Sequence, residues 1–227
     1  MNKRGFVISI CLCFILFMAL IVGCGSLNPT SSTDWARYYP HADGAKWIYR
    51  NTAIIGTSEA YTYTASTEIS GTYDIGTVTT QKYILGTVAL ASDTSNSTSY
   101  YVTDSTGVYY YGHGSHTTTE AQTYLPFPLE NGKTWSCLLY SIEPADDFTA
   151  TVIGPESVTV PLGTYNACKI SYVNKSDSTW VENIWLAENV GKVKSEVRMV
   201  VYVLDPNGRT DSQTTYVATS ELTSVNF

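Results

Sequence analysis

After residue 35 the apolar positions of this chain recur every second residue. The three-to-four spacing of a helix is almost absent. Short runs rich in Tyr, Val, Ile and Thr alternate with clusters of Gly, Asn, Asp, Ser and Pro, which reads as strands joined by tight turns. In the first half, strands are expected over 46–54, 59–69, 77–91, 97–102 and 108–112. In the second half they are expected over 133–142, 147–153, 157–160, 164–173, 179–187, 190–204 and 209–225, with "DPNG" (205–208) as a hairpin turn. Connections this short cannot carry parallel crossovers, so the strands form an antiparallel meander.

One phrase is written twice. "PHADGAKW" (40–47) and "PLENGKTW" (128–135) share P-x-x-x-G-x-x-W at an offset of 88. Pro40, Gly44 and Trp47 fall on Pro128, Gly132 and Trp135. "DIGTVTTQK" (74–82) lies on "PLGTYNACK" (161–169) at an offset of 87, aligning Gly76 with Gly163. "YYVTDSTGVYY" (100–110) lies on "IWLAENVGKVK" (184–194), anchored by Gly107 and Gly191. Three correspondences in one order point to an internal duplication, with an extra C-terminal hairpin on the second copy. The expected fold is therefore all-β: an antiparallel meander of two repeats, about 39–123 and 127–227, curved into a sheet, half-barrel or barrel. It forms a single domain over 36–227.

In each phrase Pro fixes φ, Gly permits a positive-φ turn and Trp begins a strand. Trp47 and Trp135 read as staples at which each copy's first strand enters the core. The other reading makes them stacking platforms for a ligand. His41 stands where the second copy has Leu129, which points to packing.

The first residues differ from the rest. Lys3 and Arg4 precede an uncharged run from Phe6 to Val22, the pattern of a secretory leader. The run ends in "LIVGC". That ending resembles the bacterial lipoprotein signal, in which the peptide is cut before the cysteine, here Cys24. The resemblance implies removal of residues 1–23 and a lipid-modified Cys24. Gly25, rather than Asp, resembles the outer-membrane default of such proteins, facing the periplasm. Residues 24–35 read as a polar tether. Without residues 1–23 the chain has 11 Lys and Arg against 20 Asp and Glu, a net charge of −9. That excludes a basic surface for nucleic acid.

Of five cysteines, Cys11 and Cys13 leave with the leader and Cys24 takes the lipid. Cys137 shares strand parity with Trp135 and Leu139, and Cys168 with Ile170 and Tyr172. Both face an apolar layer. They form either one disulfide, as an exported protein allows, or two buried thiols.

"ESVTVPLGTYNACKI" and "IWLAENVGKVKSE", with "YPHADGAKWIY" (39–49), resemble a family of bacterial envelope lipoproteins related to the TapB-like proteins. The family carries no established activity, so the resemblance implies location and fold only.

Catalytic chemistry is sparse. His113 and His116 sit in "GHGSH" with only Glu120 near, too few groups for a metal. Asp146 and Asp147 read as turn residues. Glu156, Glu182, Glu188 and Glu196 lie on successive second-copy strands or turns and would form a site only if they converge. No nucleophile elbow, phosphate loop or paired-histidine helix occurs. The expectation is a non-catalytic binding or assembly protein, without metal or cofactor, that takes an apolar ligand or an envelope protein partner. The Tyr-rich strands would suit amphipathic contacts, although strand composition alone also accounts for them. The alternative is an envelope enzyme whose site is assembled from distant strands.

Overall fold

A computed structural model of the chain describes residues 35–88, 94–139, 147–204 and 210–227. The leader, Cys24, nearly all of the tether, Asp146 and the "DPNG" turn lie outside these residues.

Twelve strands form one antiparallel sheet. They are β1 (Lys46–Ile55), β2 (Tyr61–Ile75), β3 (Val78–Val88), β4 (Thr94–Thr103), β5 (Gly107–His113), β6 (His116–Pro126), β7 (Thr134–Leu138), β8 (Asp147–Val160), β9 (Gly163–Asn174), β10 (Val181–Ala187), β11 (Gly191–Leu204) and β12 (Thr210–Asn226). Among the described residues the only helix is a 3-10 turn, Trp35–Tyr38. The strand order is β6-β5-β4-β3-β2-β1-β12-β11-β10-β9-β8-β7, so every strand pairs with its chain neighbours except β6 and β7, which are the two edges, and β1 pairs with β12. The sheet curls until β6 and β7 approach without a ladder, making a nearly closed barrel. The all-β meander read from the sequence is the observed architecture.

Each half supplies six strands, which changes two expectations. The second copy has no extra hairpin: β6 is the first copy's counterpart of β12. The strand over 147–160 is continuous, because Gly154, at φ 110°, forms a bulge opposite β9 instead of ending the strand. The glycine alignment at an offset of 87 also shifts. Ile75 pairs with Val78 and Val160 with Gly163, so both turns are two-residue loops. Gly76 is the first loop residue of one, whereas Gly163 opens β9 after the other.

The twin phrases fold alike. Gly44 and Gly132 take φ 82° and 81°. Gly44 N–H donates to Ile69 O and Gly132 N–H to Val152 O, at 2.9 and 2.8 Å. Ala45 N–H reaches Ala42 O as Lys133 N–H reaches Glu130 O, and Ala45 O and Lys133 O accept from Ile69 and Val152 in turn. Just ahead of each prolyl residue, Tyr39 and Phe127 are buried. The Phe127–Pro128 peptide is cis. His41 departs from the packing reading: it is exposed, and its Nδ1 donates to Tyr39 O.

Alternation decides the barrel's inside. Trp47, Tyr49, Asn51 and Ala53 of β1 are buried, as are Phe148, Ala150 and Val152 of β8 and Ile170 and Tyr172 of β9. One core cluster runs through both halves, from Tyr39, Tyr83, Tyr101 and Tyr110 to Phe148, Ile184 and Leu222. Tyr38, Tyr39, Phe127 and Leu129 belong to it, so the two entry segments seal the same end of the barrel. Charged side chains lie mainly outside, where they pair across strands: Lys46 with Glu68 and Arg50 with Glu221, at 2.6 and 2.7 Å.

Cys137 and Cys168 are both buried, and neither is in a disulfide. Cys137 lies opposite Phe148, which lies opposite Asn174, whereas Cys168 lies opposite Pro155. Six residues along β9 separate Asn174 from Cys168, roughly 20 Å of strand. A disulfide needs Cα atoms within about 7 Å, so the geometry holds two thiols apart and the disulfide reading is set aside.

Candidate functional site

The end opposite the sealed one is where β1 turns into β2 and β9 into β10. Inward-facing residues become exposed on the way to it. On β11, Ser195 and Val197 are buried, while Met199 and Val201, on the same face, are half-buried. On β1, Ala53 is buried and Ile55 half-buried. Tyr61 and Tyr63 of β2 face the same way, are half-buried, and stack on each other with centroids 6.1 Å apart. A second apolar cluster lies here: Ala53, Val197, Tyr216 and Ala218, flanked by Ile55, Tyr61, Trp180, Met199 and Val201. Solvent therefore reaches an apolar inner wall from this end, here called the mouth.

Behind the mouth lie two charged side chains that burial makes unusual. Glu182 of β10 shares inward parity with Ile184 and lies directly opposite Tyr172 of β9 and Val197 of β11. It is 5% exposed. Lys192 of β11 is 1% exposed, and its Nζ sits 5.1 Å from the centroid of the Tyr49 ring. The Tyr49 hydroxyl donates to Lys192 O at 3.0 Å. Burial pushes the Lys192 ammonium down to about 7, and the Glu182 carboxylate pulls the other way. Burial foremost, and then Glu182, raises the Tyr124 hydroxyl and the Cys137 thiol. Cys137 is thus a protonated, inert thiol at neutral pH. One interior carboxylate therefore stands within electrostatic reach of a cation, a phenol and a thiol.

The other sequence candidates do not join it. Glu156 pairs with Lys169, Glu196 with Lys194 and Glu188 with Arg37, all with exposed or half-buried side chains. Lys169 and Lys194 flank the Trp185 ring at 4.7 and 5.0 Å. Asp147 pairs with Lys175 at 2.6 Å. His113 and His116 face each other across the β5–β6 hairpin with rings 5.5 Å apart, and the His113 Nδ1 meets the Tyr110 hydroxyl at 2.8 Å. Burial and the neighbouring His116 lower the His113 ring. Among the described residues no three His, Cys, Asp or Glu side chains gather as metal ligands.

Two tryptophans mark the two seams of the barrel. Trp47 is 1% exposed, donates from Nε1 to Val190 O and packs edge-on against Phe227. Trp135 is half-buried, and its Nε1 donates to Tyr124 O of β6 at 3.1 Å, across the unladdered seam. Lys133 Nζ donates there to Pro126 O and Pro128 O, at 3.3 and 2.9 Å. The side chains of Trp135 in β7 and of Lys133 just before it thereby bond the Tyr124 and Pro126 carbonyls of β6.

Sequence reasoning named Glu182 without a direction and missed Lys192, Asn51 and Tyr124. Asn51 was within reach, since it alternates with Trp47, Tyr49 and Ala53. Lys192 was not. It has the parity of Lys194, which points out, and only the β10–β11 register shift after Trp185 turns it inward.

Compared with known proteins, residues 146–214 match the DUF3108-like family model. No curated protein matches the chain. Among solved structures, the chain is similar to a protein assigned as exported, with a YmcC-like fold, from Bacteroides fragilis: 11% identity, 83% of this chain and 98% of that chain, TM-score 0.44. It is also similar to one assigned as a lipoprotein from Parabacteroides distasonis, at 12% identity, 82% and 97% coverage and TM-score 0.38. A LolA superfamily protein from Nitrosomonas europaea follows at 12% identity, 86% and 90% coverage and TM-score 0.27. At these values none carries a function across.

Proposed function

We propose that the protein is a non-catalytic envelope lipoprotein, held to the membrane through Cys24, that binds an apolar ligand in the open end of its barrel. The observation behind this reading is the gradient along the inner wall, from sealed core to the half-exposed Ile55, Tyr61, Met199 and Val201. Exposed apolar surface inside a concavity is costly in water and is relieved when a ligand covers it. The leader and the cysteine that ends it support the location. The exterior pairing of Glu156, Glu188 and Glu196 supports binding over catalysis, since the carboxylates that an assembled site would need face away from one another.

Uptake of an apolar fluorescent probe by delipidated protein tests the binding. Met199→Asp and Val201→Asp place charge in the mouth and should abolish uptake while the melt survives. Wild-type protein that takes up no probe would defeat the reading. For the anchor, Cys24→Ser should leave an uncleaved or soluble precursor; a processed, membrane-bound Cys24→Ser protein would defeat it.

A further inference from the structure

Deeper than the mouth, three inward positions lie side by side across β1, β12 and β11. Asn51 is opposite Ser220, and Ser220 is opposite Ser195. They are 8%, 4% and 0% exposed. Asn51 Nδ2 and Ser195 Oγ meet no hydrogen-bond partner among the described residues. The next row toward the mouth, Ala53, Ala218 and Val197, shows that these strands carry apolar side chains at inward positions without difficulty. A polar row in such a wall is costly unless something accepts from it.

We propose that this row is a head-group subsite for an uncharged polar group on the apolar ligand: an ester or amide carbonyl flanked by hydroxyls. The proposal rests on the binding reading above and adds the chemistry of the head. Asn51 Nδ2 can only donate, so it calls for an oxygen acceptor. Ser195 Oγ donates or accepts, which suits an adjacent hydroxyl. Glu182 lies one row toward the mouth, opposite Val197, and Lys192 lies toward the sealed end, opposite Leu186. A charged head would be desolvated in a row that offers it only neutral groups, whereas a carbonyl meets no such penalty. Between the row and the mouth β1 and β12 carry only the small side chains of Ala53 and Ala218 at the inward positions.

The test uses delipidated full-length protein and displacement of the apolar probe by monoolein, oleate and oleylamine, three heads on one chain. Monoolein is expected to displace the probe most tightly. Asn51→Leu and Ser195→Ala should each weaken monoolein about tenfold, the value of one buried hydrogen bond. Neither should lower the melting midpoint of the apo protein, because each removes a group that the fold itself leaves unpaired. Equal displacement by all three heads overturns the proposal on wild-type protein alone. Unchanged monoolein affinity in both variants means the row holds only water. A lowered apo midpoint with unchanged affinity makes the row structural. Probe that never binds defeats the binding reading and the subsite with it; uptake without head-group discrimination defeats the subsite alone.

Discussion

Trp47 and Trp135 end the same phrase, follow turns with the same φ and the same three backbone hydrogen bonds, and yet differ in burial. The difference comes from their seams. Trp47 stands where β1 pairs with β12 from Lys46–Asn226 to Ile55–Tyr216. Trp135 stands where β7 meets β6 by side chains only.

The staple role therefore predicts unequal costs. Trp47→Ala should cost about 3–5 kcal/mol, as fully buried aromatic truncations do. Trp135→Ala removes less buried area and should cost clearly less. Thermal melts of the two variants compare them directly. Equal midpoints would mean that the β6–β7 seam is as tightly closed as its twin.

The glycines should behave alike where the tryptophans do not. A Cβ at Gly44 or Gly132 meets nothing within 4 Å, so Ala there suffers only the positive φ. Each substitution should cost about 1–2 kcal/mol. Gly191→Ala should cost more, since its φ is 117° and the added Cβ would collide with the Trp47 indole. Denaturant midpoints at constant slope would check the order.

Alternation made most strands legible, and its failures have local causes. In β8 and β9 the buried and exposed positions take turns, and their existence was readable. β6 was missed because its residues from His116 to Thr123 are exposed or half-buried, with no apolar face to read. They border the unladdered seam, where no neighbour demands a core residue. Glu182 could be placed inside by its parity with Ile184. Lys192 required the register shift, which no single strand reveals.

Buried titratable groups give stability a maximum in alkaline solution. The Lys192 pKa is depressed in the folded state, to about 7, from about 10.4 unfolded. Between those values the unfolded chain binds the extra proton, so stability rises with pH through that window. Tyr39, Tyr49, Tyr83, Tyr101 and Tyr110 have raised pKa values, chiefly from burial. Unfolded tyrosines ionise near pH 10, so stability falls above that point. Urea midpoints at pH 7, 8.5, 9.5 and 11 should rise and then fall. The rise should shrink in Lys192→Met; a rise of equal size in that variant would remove Lys192 as its source.

The two halves should not fold apart. The main core cluster contains Tyr49, Tyr83 and Leu125 from the first six strands and Phe148, Ile184 and Leu222 from the last six. Cutting between β6 and β7 would also strip β12 of its β1 partner and expose a long edge. Residues 127–227 expressed alone are expected to aggregate or remain unfolded. Cooperative melting of that fragment as a soluble monomer would show two independent domains.

The interior pair is predicted to be coupled, and a double-mutant cycle measures by how much. Lys192→Met removes the cation that Glu182 attracts across the interior, and with it the larger cost of burying an ammonium, since desolvation outweighs Glu182 in lowering the Lys192 pKa. Its net effect on stability near pH 7 should therefore be small. Glu182→Gln removes the group that favours the ammonium, so the buried amine stays neutral at pH 7. Subtracting both single effects from that of the double variant isolates the interaction energy, expected at about 1–3 kcal/mol. That coupling should fade as the pH is raised from 7 to 9, where wild-type Lys192 is itself neutral and the pair no longer carries two charges. An additive cycle at pH 6.5 would show that Glu182 and Lys192 do not interact, leaving the pair without a role in holding the barrel's interior.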